Sequence, residues 1–126
     1  MDTTTKVYLD LSTNEVYESP SFGCIEIDAL ICPAIQDLNR KGYITSACCC
    51  GHDEDLRYME SNHAYIQFDF GGITPEHLPL GWYWTDNGQQ MEYEYQSQEE
   101  KALHMEIISV IDRLKAWAAK LPDTRG

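Results

Sequence analysis

The stretch GWYWTDNGQQMEYEYQSQEEKALHMEIISVIDRLKAWAAKL, residues 81–121, decides the fold. Its first half has a period of two. Aromatic residues Trp82, Tyr83 and Trp84 lead into a turn, and Met91, Tyr93 and Tyr95 then alternate with Glu92 and Glu94. Between them Asp86-Asn87-Gly88 is a hairpin signal, because Asn-Gly tolerates the positive φ of a type I′ turn. From Ser97 onward the period becomes that of a helix. Leu103, Ile107, Val110, Ile111, Leu114, Trp117, Ala118 and Leu121 form one apolar stripe. Ser97 and Glu100 have capping-box spacing at its start, and Pro122 stops it. A hairpin running directly into a long amphipathic helix is α+β chemistry.

The rest of the chain extends this pattern. Residues 6–11 alternate, with Val7, Leu9 and Leu11 on one face, and residues 15–18 return after the Ser12-Thr13-Asn14 turn. Ile25 and Ile27 suggest a further extended piece. Asp28 is placed to cap a helix whose apolar positions are Leu30, Ile31, Ala34, Ile35 and Leu38. Pro33 belongs in a first turn, so the regular helix is expected to start near Cys32 or Pro33. Gly42 ends it. Residues 43–49 read as a strand, 50–62 as a polar loop, and 63–70 as a strand with Ala64, Ile66 and Phe68 inward. Thr74-Pro75-Glu76 looks like one capped helical turn. The expected architecture is a mostly antiparallel sheet built from hairpins and covered on one face by two helices. One domain spans residues 1–126, with 1–5 and 122–126 loose.

Composition narrows the function. The 126 residues hold 9 Lys and Arg against 21 Asp and Glu, a net charge of −12. Nucleic-acid backbones and anionic membranes are recognised by clustered cations, so neither is the expected partner; a basic protein is. No segment reads as a membrane span, and the N-terminal residues lack the basic-then-apolar order of a signal peptide. A cytoplasmic setting is therefore expected, and there the five cysteines stay reduced.

Three of those cysteines are consecutive: Cys48, Cys49 and Cys50, followed by Gly51 and His52. Cys49 and His52 have the spacing with which a tight turn presents sulfur and nitrogen to one ion, and zinc suits that mixed pair. Strand pairing of 43–49 with 63–70 would return His63 to the turn. Cys24, ahead of the first helix, is the other expected ligand of a structural site. Cys48 and Cys50 are reserves, and Cys32 suits the core better. The competing reading is that these thiols are simply buried, since free cysteine is among the most buried residue types.

The span Ile35-x-x-Leu38-Asn39-x-Lys41-Gly42-Tyr43-x-Thr45-x-x-x-Cys49-x-Gly51-His52, with Tyr65-Ile66-x-Phe68 after it, resembles a group of small bacterial and phage proteins sharing this helix, turn and strand. The Cys-x-Gly turn is also similar to that of the tRNA wybutosine-synthesis methyltransferases of the third step, which have Arg at the position of His52. The first resemblance supports the fold and the turn and implies no particular activity. Anti-CRISPR proteins are similar to this chain in size and acidity.

No complete set of nucleophile, base and orienting group is legible, so the chain is not expected to be an enzyme. A metal-dependent or thiol-dependent enzyme and a metal-stabilised accessory module are the alternatives. The expected function is binding of a basic partner, an inhibited CRISPR effector being the specific case, because such effectors carry basic channels for guide and target. The expected contact residues are Glu92, Glu94, Glu99 and Glu100.

Overall fold

The structure, a computed structural model, describes residues 3, 5–51 and 63–125. In chain order it comprises β1 (Lys6–Asp10), β2 (Glu15–Tyr17), β3 (Ile25–Asp28), α1 (Cys32–Arg40), β4 (Thr45–Cys49), β5 (His63–Phe68), β6 (Tyr83–Thr85), β7 (Gln90–Glu94) and α2 (Glu100–Lys120). All strand pairings are antiparallel. The strands divide into two sheets, ordered β2-β1-β3 and β4-β5-β7-β6. The division falls at α1. β3 delivers the chain to the helix, and β4 leaves it to pair with β5.

Register decides which side chains meet. Cys48 stands opposite Ile66, Ile66 opposite Met91, and Met91 opposite Trp84, one row across four strands. Ala64, Ile66, Phe68 and Met91 are fully buried on this face. So are Leu103, Ile107, Ile111 and Leu114 of α2 and Ile35 and Leu38 of α1, and all belong to one continuous core. Each such large side chain contributes about 1.5–3 kcal/mol when taken fully from water. The α2 stripe is therefore a packing device. Its last members, Trp117 and Leu121, are only partly buried.

Local signals were used differently from their sequence reading in four places. Asp28 does not cap α1. It ends β3, is 1% exposed, accepts the Cys50 backbone N–H at 2.9 Å and pairs with Lys6. The helix begins after Ile31 with Pro33 in its first turn and no side-chain cap. The Ser97–Glu100 capping box does not form either, and Glu99 is the N-cap residue. Glu106, nearly two turns into α2, takes the Gln96 N–H and the Ser97 N–H, the latter at 2.9 Å, and so replaces the local cap with a longer-range one. Residues 73–79 form no helical turn. Two prolines interrupt the segment, and it lies as a strap against the end of α2, where Trp117 Nε1–H donates to the His77 carbonyl at 3.0 Å. The β6–β7 connection is wider than a two-residue turn, with Thr85 opposite Gln90, although Asp86 and Asn87 do take the positive φ of 52° and 57°.

The α1–β4 corner carries a dense set of hydrogen bonds. Asn39 is buried and staples the corner: its amide donates to Thr45 Oγ1 at 3.0 Å and accepts the Thr45 N–H at 3.1 Å. Lys41 leaves its own helix. Its ammonium donates to the carbonyls of Ala118, Ala119 and Leu121 at 2.8, 2.7 and 2.9 Å, and so caps the C-terminus of α2. Tyr43 donates its hydroxyl to Pro122 O at 3.0 Å. Thr124 bonds Lys41 O through both its N–H, at 2.9 Å, and its hydroxyl, at 2.6 Å. The segment after Pro122, expected to be loose, is thus held from end to end as far as Thr124. At the other terminus Thr3 O lies against Cys50 Sγ at 3.6 Å, and Thr5 O accepts the Ala29 N–H at 2.8 Å.

Candidate functional site

Two features on the four-stranded sheet carry the chemistry, the cysteine turn at the end of β4 and the sheet face turned away from the helices. In the turn, Cys48 and Cys50 point to the core side and Cys49 to the other, as strand alternation requires. Gly51 then turns at φ +83°, where a Cβ would sit 2.6 Å from the Tyr95 ring and 3.3 Å from His63 O. Only glycine fits under that ring. The Tyr95 hydroxyl locks the turn by donating to Cys50 O at 2.7 Å.

The thiols are held in their neutral form. Burial pushes Cys48 up to about 12 and Cys49 to about 11, and the Asp28 carboxylate raises both further. Cys50 moves in the same direction for the same reasons. Cys32, in the first turn of α1, is raised by burial to about 11. A thiol at 11 is about one part in ten thousand thiolate at pH 7, so attack on an electrophile is slow. A bound cation is what would most readily draw off such a proton.

The expected ligands separate in space. His63 faces the same side of the sheet as Cys49 and lies diagonal to it, because Cys49 pairs with Tyr65; ideal sheet geometry places such neighbours about 7–8 Å apart. Cys24 does not join them. It precedes β3 beside Asp10, at the end remote from Asp28, and four extended residues carry it about 13 Å away. The expectation rests on the helix after Cys24 returning the chain to the turn, whereas β3 sets Cys24 at the far end of its own strand. His52 lies outside the described residues. Among the described residues no three His, Cys, Asp or Glu side chains converge as a metal site.

The open face has its own row. Cys49, Tyr65, Glu92 and Tyr83 stand opposite one another in turn across β4, β5, β7 and β6. His63 and Glu94 form the adjacent pair. Glu94 and Tyr83, the latter 40% exposed, reach solvent, and Glu92 and Tyr65 are half-buried. Burial raises the Tyr83 phenol, and Glu92 and Glu94 add to the shift, so both carboxylates act on that ring as charges. Glu99 and Glu100 are exposed but open α2, so they belong to the helical layer and not to this row.

Sequence reasoning missed a third feature, a cavity at the C-terminal end of α2. Trp117 and Leu121 were its one available signal, since the stripe there outruns the sheet. The chain matches no protein-family model, no curated protein and no solved structure. No helix among the described residues is long and apolar enough to cross a membrane.

Proposed function

We propose that the chain acts by binding a basic protein through the open face of its four-stranded sheet, and that the partner is a CRISPR effector whose nucleic-acid channel it occupies. The observation that supports this is the cross-strand row in which Glu92 is flanked by Tyr65 and Tyr83, with Glu94 beside it on the same face, opposite His63. Carboxylates at that spacing accept guanidinium and ammonium groups, and the phenol rings supply rigid contact area at low entropic cost. The charge of −12 steers a cationic partner toward the protein. Glu99 and Glu100 would add to the field from the adjacent layer. A reducing cytoplasm is the setting proposed with this role, and there the five cysteines stay thiols.

Within this proposal Cys49, His52 and His63 hold zinc as a structural staple of the turn, one of the reserves Cys48 and Cys50 is the fourth ligand, and Cys24 takes no part. Elemental analysis of untagged protein tests that directly. One zinc per chain is expected, reduced by Cys49→Ser and by His52→Ala. A metal-free wild type of full stability refutes it. X-ray absorption distinguishes a closed shell from one with exchangeable water, and the latter would favour a hydrolytic enzyme instead.

The functional test titrates the protein into plasmid cleavage by a panel of guide-loaded effectors. Glu92→Lys with Glu94→Lys should weaken inhibition more than Glu99→Lys with Glu100→Lys. Association should slow as salt rises from 0.1 to 1 M, since the screening length shrinks from about 10 to about 3 Å. If no effector is bound or inhibited, the chain is better described as an accessory module.

A further inference from the structure

The Lys41-Gly42-Tyr43 segment performs one task with three residues. Lys41 grips the last carbonyls of α2, Gly42 has no Cβ where Thr124 Oγ1 approaches to 2.0 Å of that position, and Tyr43 holds Pro122 O. Together they fasten the C-terminal segment into one wall of a cavity of about 520 Å3. The opposite wall is the strap carrying Ile73 and Glu76, itself fixed by the Trp117–His77 hydrogen bond. This is the size of a small-molecule pocket, and its walls are pinned before any ligand arrives.

The lining indicates the ligand. Trp117 and Tyr43 present aromatic rings, and Ile73 and Pro122 complete an apolar interior. Two opposite charges border it, Glu76 on the strap and Lys120 in the last turn of α2. Among the described residues neither is ion-paired, with each other or elsewhere. An apolar slot bracketed by a free carboxylate and a free ammonium complements a molecule with one ring and both charges. We propose that this cavity binds an amphoteric aromatic small molecule of the size and charge of an aromatic amino acid. Its ammonium faces Glu76, its carboxylate faces Lys120, and its ring enters between Trp117 and Ile73.

The probe is L-phenylalanine, with phenethylamine and 3-phenylpropionate as analogues that keep one charge each. The readout is the Trp117 indole N–H resonance, identified by its loss in Trp117→Phe. L-phenylalanine should give a saturable shift, and each one-charge analogue should bind about threefold more weakly, the usual worth of an exposed ion pair. Lys120→Gln should bring L-phenylalanine and phenethylamine to equal affinity, and Glu76→Gln should do the same for L-phenylalanine and 3-phenylpropionate. Ile73→Trp, at an exposed position that leaves the core intact, should fill the slot and abolish the shift. The absence of a saturable shift with L-phenylalanine overturns the proposal. So does equal or tighter binding of both one-charge analogues to the wild type.

Discussion

Replacing Lys41 with Met keeps the aliphatic stem and removes the ammonium. The side chain is 7% exposed, and its three acceptors are carbonyls at the C-terminal end of α2, of which Ala118 O also accepts the Leu121 N–H at 3.4 Å. A hydrogen bond to a charged group contributes about 1.5–3 kcal/mol. The three together overstate the loss, because the variant also escapes the cost of burying an ammonium and part of the helix end can recover water. A net loss of about 3 kcal/mol follows, with the helix dipole adding at most about 1 kcal/mol. That is a large share of the roughly 5–15 kcal/mol that holds a domain folded. With a urea dependence of roughly 1.5 kcal/mol/M, the midpoint should fall by about 2 M. Urea titration followed by circular dichroism measures it. Lys120→Met, at the exposed neighbour on the same helix end, should shift the midpoint by under about 0.3 M. Lys41→Arg should recover part of the loss, since a planar fork fits three carbonyls on a helix end less well than an ammonium does. Equal midpoints for Lys41→Met and Lys120→Met would refute the idea that this ammonium caps α2.

Gly42→Ala forces a Cβ to within 2.0 Å of Thr124 Oγ1 at a φ of +97°. It should cost about 1–3 kcal/mol and speed hydrogen exchange at the Thr124 N–H, and adding Thr124→Ala should recover part of the loss, since the hydroxyl is the clashing group. Burial raises Cys32 to about 11 from an ordinary value of 9.0, so the folded state keeps a proton that the unfolded state releases. Its contribution is complete below pH 9 and should fall by about 1.4 kcal/mol per pH unit between pH 9 and 11. Unfolding of Cys32→Ala across that range should show a slope shallower by this amount, and an unchanged slope would place the titration elsewhere.

Most of the fold is legible locally because burial imposes a period. Alternation in residues 63–68 and 90–95 and the 3.6-residue stripe from Leu103 onward are each set by which neighbours along the chain face the core. The glycine of the cysteine turn is legible too, since a thiol-rich strand end followed by Gly51 calls for a backbone only glycine adopts. Partner choice is another matter. Asp28 has the sequence context of a helix cap, yet it serves Lys6 and Cys50, because β1 and the end of β4 arrive there only once both sheets have formed. Lys41 reads as a basic residue ending its own helix and instead caps one that ends 79 positions further on at Lys120, because α1 and α2 pack side by side. Cys24 precedes a helix that returns the chain to the turn, yet β3 holds it at the end remote from Asp28. A sequence records the spacing between residues along the chain, and that settles periodicity and turns. Which charge meets which carbonyl depends on distances through space, and those exist only after the layers have packed.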